Sequence, residues 1–109
     1  QAYRVLNYQF FGAPVALFFT IDRDMEQGSW VDYGMFLQSL MLAAREQGLE
    51  TCAQAAFCPY YDSVMPILGA PSEQMLVCGM SIGYADPDAG INEYRTSRLP
   101  VDVFRTRLS

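Results

Sequence analysis

The chain has 109 residues, the size of one ordinary domain, and 51% of them are hydrophobic, which is enough to bury a core and excludes a disordered chain. The formal net charge of −5 argues against a nucleic-acid backbone as the main partner, because that binding requires Lys and Arg to neutralise phosphates. The sequence contains no His and no Lys, which removes the commonest general base, the commonest metal ligand and Schiff-base chemistry. We therefore expect no metal site and no catalytic side chains of the usual triad or carboxylate-pair kind.

The three cysteines, Cys52, Cys58 and Cys78, are odd in number and show no C-x-x-C spacing, which disfavours both a disulfide scaffold and a zinc site. Free thiols fit a reducing, cytoplasmic setting. The longest apolar stretches, residues 13–20 and 35–44, are shorter than the roughly 20 residues that a bilayer requires, so no membrane span is predicted. The chain opens at Gln1 rather than Met, which predicts either a processed start or a piece of a larger protein.

The first clear element is a strand at Val15–Ile21, where a run of β-forming residues predicts burial on both faces. A polar loop follows. Ser29 and Asp32 have the spacing of a capping box, which predicts a helix from Trp30 to about Gln47 that Gly48 ends.

This long helix is apolar on nearly its whole circumference until the last turn. A helix of that kind is buried nearly all round. A chain of this length cannot easily wrap it, so we expect part of its packing to come from another segment or another subunit.

The rest of the chain predicts a short strand at residues 49–52, a helix from Pro59 to about Leu68 that Pro66 shortens or kinks, and a second clear strand at residues 74–84. Within that strand, glycines 79 and 83 favour close packing or a bulge rather than a nucleotide-binding loop. Residues 85–109 show little periodicity and form an extended basic tail, which favours a local anion site or an arm that docks elsewhere. The tail carries Arg95, Arg98, Arg105 and Arg107.

Three stretches together resemble the nitroreductase family: Phe10-Phe-Gly-Ala-Pro14 followed by VALFFTID, the helix GSWVDYGMFLQSLMLAAREQGLETC, and the pair CGMSIGYAD and RTSRLPVD. They occur in the family's order and spacing from Asn7 onward. The resemblance covers the C-terminal part of a single domain, residues 1–109. The family's N-terminal half carries an Arg- and Ser-rich segment that grips the flavin phosphate, and nothing in this sequence matches it.

The resemblance implies an α+β fold, a mixed sheet flanked by helices, here represented by its C-terminal half. It implies a homodimer with two FMN sites at the subunit interface, in which the long apolar helix is the buried central dimer helix. The N-terminal half or a second subunit would complete the flavin site.

The resemblance also implies candidate cofactor-binding residues. Arg98 matches a C-terminal basic residue that the family places on the FMN phosphate, a role that suits the planar, always charged guanidinium. Arg95 is the candidate for a second basic residue, because the family's usual position for it holds Thr96 here. The segment after the long helix matches the one that lies along the isoalloxazine ring, where small residues with free backbone N–H groups suit close approach, and it comprises Ala53, Gln54, Ala55 and Ala56.

The implied activity is transfer of electrons from NAD(P)H through FMN to nitroaromatic, quinone or similar small-molecule acceptors. An alternative from another class is a truncated, non-catalytic dimeric remnant or interaction module of the same fold. A third reading keeps the fold and changes the chemistry, since relatives include flavin-fragmenting enzymes, dehalogenases and azoline oxidases.

Overall fold

The computed structural model describes residues 2–108. Four α-helices and three strands follow one another along the chain: α1 Ala2–Tyr8, β1 Val15–Asp22, α2 Gln27–Glu46, β2 Glu50–Gln54, α3 Tyr61–Leu68, β3 Gln74–Gly83 and α4 Val101–Phe104. Short 3-10 helices lie at Phe10–Gly12, Ala55–Tyr60 and Gly90–Glu93. Within residues 2–108, no helix combines the length and the hydropathy that crossing a bilayer would take.

The three strands form one sheet in the order β1-β3-β2, and both pairings are antiparallel. All three strands that the sequence predicts are present, with ends shifted by one or two residues. β3 lies in the centre and is buried or half-buried along its whole length, with Met80 fully enclosed. β3 therefore organises the fold, although it is the last strand in the chain.

β1 departs from the expectation of burial on both faces. Its second half is covered, with Phe19 and Ile21 buried, but Val15 and Ala16 at its start are exposed. β1 is an outer strand, and the chain covers it from Leu17 to Ile21 but not at its first two residues. The expectation was wrong for the start of the strand because a run of β-forming residues does not say how much of it neighbouring elements cover.

A β-bulge interrupts the pairing of β1 with β3. Phe19 pairs with Cys78 while Thr20 pairs with Leu76, so Val77 is the extra residue on β3. Its carbonyl oxygen accepts a hydrogen bond of 3.1 Å from the Cys58 thiol. The bulge carbonyl is thereby satisfied from the segment that follows β2.

The sheet carries a hydrophobic cluster on each face. On the first, Phe19, Cys78 and Met80 pack against the inner side of α2. On the second, Phe57 and Met65 with Leu76 pack against aromatic residues from the beginning of the chain. The layers are thus a helix, the sheet, and a third layer built from α1, α3 and the 3-10 helices Phe10–Gly12 and Ala55–Tyr60.

The start of α2 differs from the predicted capping box. The helix begins at Gln27 rather than Trp30, its N-cap is Glu26, and no side chain caps it. The hydroxyl of Ser29 contacts the Met25 sulfur at 3.4 Å, and the Trp30 indole N–H donates to the Met25 carbonyl at 3.2 Å. The predicted cap was wrong because the helix gains another turn ahead of Ser29. The predicted end is confirmed, since Gly48 takes a left-handed φ of 76° just beyond the helix.

α2 has two apolar faces, and the chain covers one. Its inner stripe packs on the sheet and comprises Tyr33, Leu37, Leu40 and Met41. The outer stripe is open, with Val31 62%, Met35 57% and Leu42 61% exposed. No residue of α2 is buried within the chain itself, which agrees with the expectation that another segment or subunit supplies further packing.

α3 begins at Tyr61, two residues after the predicted start at Pro59. Pro59 belongs to the 3-10 helix before it, and α3 runs for 8 residues from Tyr61. Pro66 lies in its last turn, and Gly69 ends it with a φ of 63°. The helix is short, as the position of Pro66 predicts.

The tail beyond β3 lies away from the body. Residues 84–108 are exposed apart from Ala89, and the hydrogen bonds described for residues 85–108 stay within that segment. The radius of gyration of the chain is 16.8 Å, whereas a compact chain of roughly 100 residues has about 13 Å. The tail thus extends from the body instead of packing on it.

Candidate functional site

The candidate site is the segment where β2 ends and the following 3-10 helix begins. Side chains of a strand alternate between its two faces, and here Ala53 and Ala55 are exposed while Gln54 is 3% exposed. Ala56 is half-buried. The segment therefore exposes the small side chains of Ala53 and Ala55, which leave room for a flat ligand to approach the backbone closely.

The Gln54 side chain points to the other side, where it contacts α1. Its amide Nε2 donates to the Asn7 backbone carbonyl and to Asn7 Oδ1, both at 2.7 Å. Its Oε1 is buried and has no hydrogen-bond partner among the described residues. Of the predicted site residues, Gln54 alone has a buried side chain, and a contact between side chains 47 positions apart has no local sequence signal.

A cluster of aromatic rings lies next to the segment. Phe57 stacks on Phe10 with centroids 4.9 Å apart and makes edge contacts with Tyr8 at 5.6 Å and Phe18 at 5.1 Å. Its ring also lies against β3, where a Cβ added at Gly79 would come within 2.9 Å of Phe57 Cδ2. Close packing at Gly79 is thus confirmed, and Phe57 provides a fixed base for residues 53–56.

The turn that positions Phe10 is strained. Phe10 and Phe11 have φ values of 51° and 55°, and Gly12 continues the turn at 75°. Bulky residues rarely adopt this left-handed region. The Phe10 ring is held by Phe57 and Phe18, whereas the Phe11 ring is exposed. Hydrophobic patterning missed this turn because nothing in a Phe-Phe pair signals positive φ.

Two clefts open on the surface. One, of about 340 Å³, is lined by Tyr8, Phe57, Tyr60 and Val64. A hydrogen bond with Tyr60 is the main cause that raises the pKa of Tyr8. The larger cleft, of about 530 Å³, lies between the end of β1 and the start of α2.

The larger cleft contains a short hydrogen-bond chain. The Tyr33 hydroxyl donates to the Thr20 carbonyl at 2.8 Å, and the Thr20 hydroxyl donates to Gln74 Oε1 at 2.7 Å. Burial, and to a lesser extent Cys78, raises the pKa of Tyr33. No predicted site residue lines either cleft.

The arginines predicted for the phosphate lie on the extended tail. Arg98 is exposed and donates to Thr96 Oγ1 and to the Ser97 carbonyl, its own neighbours. Arg95 is exposed as well. Among residues 2–108, no hydrogen bond or ion pair joins either arginine to residues 53–56. The structure thus does not bring the predicted phosphate ligands to residues 53–56.

The sequence pattern of the nitroreductase family matches residues 1–84. The chain belongs to the nitroreductase family. The matched residues include the whole segment 53–56. The nitroreductase fold is confirmed as well, since the helices and the three-stranded sheet superpose on solved structures of this family over almost the whole chain.

Individual nitroreductases resemble the chain closely. A 4-nitrobenzoate reductase of Pseudomonas putida is 50% identical over 93 residues, which are 85% of this chain and 41% of that protein. The structure of the FMN- and NADPH-dependent nitroreductase NfnB from Sphigopyxis sp. strain HMH has a TM-score of 0.92 at 38% identity, covering 99% of this chain and 48% of that one. The FMN-dependent NfnB from Mycobacterium smegmatis, solved with NADPH, has a TM-score of 0.89 at 33% identity, with coverages of 99% and 48%.

The chain spans a little under half the length of these nitroreductases. Its similarity to them is nearly continuous, so the fold of the described residues is that of the corresponding part of the larger domain.

Proposed function

We propose that the protein containing this chain is an FMN-dependent oxidoreductase that passes electrons from NAD(P)H to nitroaromatic, quinone or similar small-molecule acceptors. The proposal is carried by the match to reductases of nitroaromatic compounds over 85% of the chain at 50% identity. A flavin supplies the hydride and electron chemistry when bound, so the residues of this chain need only to bind and orient it.

In this proposal, residues 53–56 lie along the flavin ring. Ala53 and Ala55 contribute small, exposed side chains, which suits close approach of a planar ring to the backbone. Phe57 and its neighbours keep that segment in place. These features of the chain fit a flavin ring without requiring any side chain to take part in bond making.

Arg98, with Arg95 as a second candidate, contacts the FMN phosphate in this proposal. Both guanidinium groups are exposed and free of acidic partners among the described residues, so both are available to an anion. The tail on which they lie has to dock for this contact to form. We propose that the protein is a homodimer, and that the second subunit or the other half of the domain completes the site.

Comparing the binding of FMN with that of riboflavin distinguishes ring contacts from phosphate contacts. FMN and riboflavin share the isoalloxazine ring, but riboflavin has no phosphate. In the protein as its gene encodes it, we expect Arg98→Ala to weaken FMN binding by about tenfold or more, as the loss of a charge-assisted hydrogen bond does, and to leave riboflavin binding unchanged. Arg107→Ala, on the same tail, is the matched control.

Binding is measured by flavin fluorescence titration and by retention of flavin absorbance on gel filtration, followed by NAD(P)H oxidation with a nitroaromatic acceptor. Purified protein that holds no FMN would exclude the oxidoreductase and leave the alternative of a non-catalytic dimeric module. We also propose a cytoplasmic setting, in keeping with the three free cysteines, of which Cys52 is exposed.

A further inference from the structure

Gln54 lies where β2 ends, opposite Gly79 of the central strand. Its backbone thus belongs to the sheet, while its amide is the donor in both side-chain contacts with Asn7. At 3% exposure, the amide is not accessible to a ligand in this structure. The Gln54 side chain can therefore affect the neighbouring alanines only through the position of the backbone.

The acceptor that Gln54 contacts is the end of a helix. The last four carbonyl groups of an α-helix lack partners within the helix, and Asn7 is the penultimate residue of α1. The Leu6 carbonyl accepts from the Gln9 N–H, and the Asn7 carbonyl accepts from Gln54. Gln54 therefore caps the C-terminus of α1 from the far side of the chain.

The orphaned Oε1 shows that packing alone does not account for this side chain. A buried acceptor without a partner destabilises a fold, and each such group needs an explanation. A leucine of similar volume would fill the space without the orphaned Oε1, but it would leave the Asn7 carbonyl without its donor. What glutamine supplies and leucine does not is the pair of directed hydrogen bonds to Asn7, which fix the end of β2 relative to α1.

We propose that Gln54 is a positioning residue of the flavin site: its amide fastens the end of β2 to the C-terminus of α1 and so sets the placement of Ala53 and Ala55 against the ring. This inference rests on the proposed function. In this proposal, the Gln54 side chain does not make the direct cofactor contact predicted from the sequence, but holds its two exposed neighbours in position.

The test compares Gln54→Leu with wild type in the protein as its gene encodes it. We expect Gln54→Leu to weaken FMN and riboflavin alike, by roughly tenfold for the loss of the directed bonds, and to shift the visible absorbance maxima of the bound flavin. Arg98→Ala differs, because it acts on FMN alone. Thr20→Val, which removes the Thr20–Gln74 hydrogen bond at the other end of the sheet, controls for a general loss of stability and leaves both ligands unaffected.

If Gln54→Leu does not fold, Asn7→Ala replaces it in the test, because it removes one of the two acceptors of the Gln54 amide. We expect it to weaken the binding of both ligands, but less than Gln54→Leu. If wild-type protein binds FMN and riboflavin, and the Gln54 and Asn7 variants bind them with unchanged affinity and spectrum, the positioning role is overturned while the proposed function stands. If wild-type protein binds neither flavin, both fail together.

Discussion

At the scale of single residues, the Phe57 ring is the best-fixed side chain next to the candidate site. It stacks on Phe10 and makes edge-to-face contacts with Tyr8 and Phe18. The Gly79 backbone also lies against it. A ring held on so many sides cannot shift to admit another atom. The packing around Phe57 thus explains why the centre of β3 has a glycine despite its poor strand propensity.

We expect Gly79→Ala to destabilise the fold by about 1–3 kcal/mol, because the new methyl overlaps a ring with no free rotamer. Gly28→Ala, at a helical position where an added Cβ meets nothing within 4 Å, should be neutral or stabilising by up to about 1 kcal/mol. Urea denaturation followed by circular dichroism measures both. Equal midpoints for Gly79→Ala and wild type would contradict the packing described for Phe57.

The buried Cys78 and the half-buried Tyr33 make stability depend on pH. Burial, with a smaller effect of Cys58, raises the pKa of the Cys78 thiol, and burial raises the pKa of Tyr33. Both groups are neutral when protonated, so their contribution is complete at neutral pH. It is lost as the pH rises through their ordinary values, about 8.5 for Cys and 10 for Tyr, because the unfolded chain ionises first.

The free energy of unfolding should therefore fall as the pH rises above about 8, first through Cys78 and, above about pH 10, through Tyr33 as well. Cys78→Val should flatten part of this fall, whereas Cys52→Ser, at an exposed thiol, should leave the profile unchanged. Urea titrations across the range provide the measurement. A Cys78→Val profile parallel to that of wild type would show that Cys78 does not contribute.

At the scale of elements, α2 is a helix with one face packed and one face open. Its inner stripe joins the Phe19–Met80 cluster, while Val31, Met35 and Leu42 face outward. An exposed apolar stripe of this length is typical of an interaction surface. The homodimer proposed above would cover it.

Substitutions on the two faces should have different effects. Met35→Glu should weaken dimer association by roughly tenfold or more with little change in circular dichroism, because it places a charge in the interface alone. Leu40→Asp should unfold the chain, because Leu40 packs against the sheet. Gln27→Glu adds the same charge at the helix start and serves as the control. Sedimentation velocity distinguishes these outcomes, and an undiminished Met35→Glu dimer would place the interface elsewhere.

The extent to which sequence predicts this fold differs between its elements. Hydrophobic runs and glycine stops located β1, β3 and the end of α2 to within a residue or two, because these features depend on local composition. The predicted start of α2 was wrong, because the Ser29 hydroxyl contacts the Met25 sulfur instead of capping a backbone N–H. Similarity to the family predicts a role for residues 53–56, but the contact between Gln54 and Asn7 joins distant parts of the chain and leaves no trace in local patterns.

At the scale of the whole molecule, the chain is a packed body with an extended arm. The arm carries four of the seven arginines, and trypsin can cut this lysine-free sequence only after arginine. The body's Arg45 is paired with Glu50, and Arg23 donates to the Ser72 carbonyl. Proteases preferentially cut exposed segments, such as this arm, whose hydrogen bonds are only to near neighbours in the chain.

Limited tryptic digestion should therefore release the arm first, by cleavage after Arg95 and Arg98, and leave a resistant body. Added FMN should slow cleavage after Arg98 and not after Arg107 if the proposed phosphate contact forms. Mass spectrometry of timed samples identifies the products. Cleavage after Arg45 at the same rate as in the arm would contradict this division.

The strand order also has a consequence for how the protein is made. β3 is the shared partner of β1 and β2, and Val15 at the start of β1 pairs with Ile82 near the end of β3. During synthesis, β1 and β2 emerge from the ribosome before the only strand of the described sheet that can join them. Pairings so distant in sequence form slowly, so the apolar strand β1 and the more polar strand β2 lack this partner until residue 83 has left the exit tunnel.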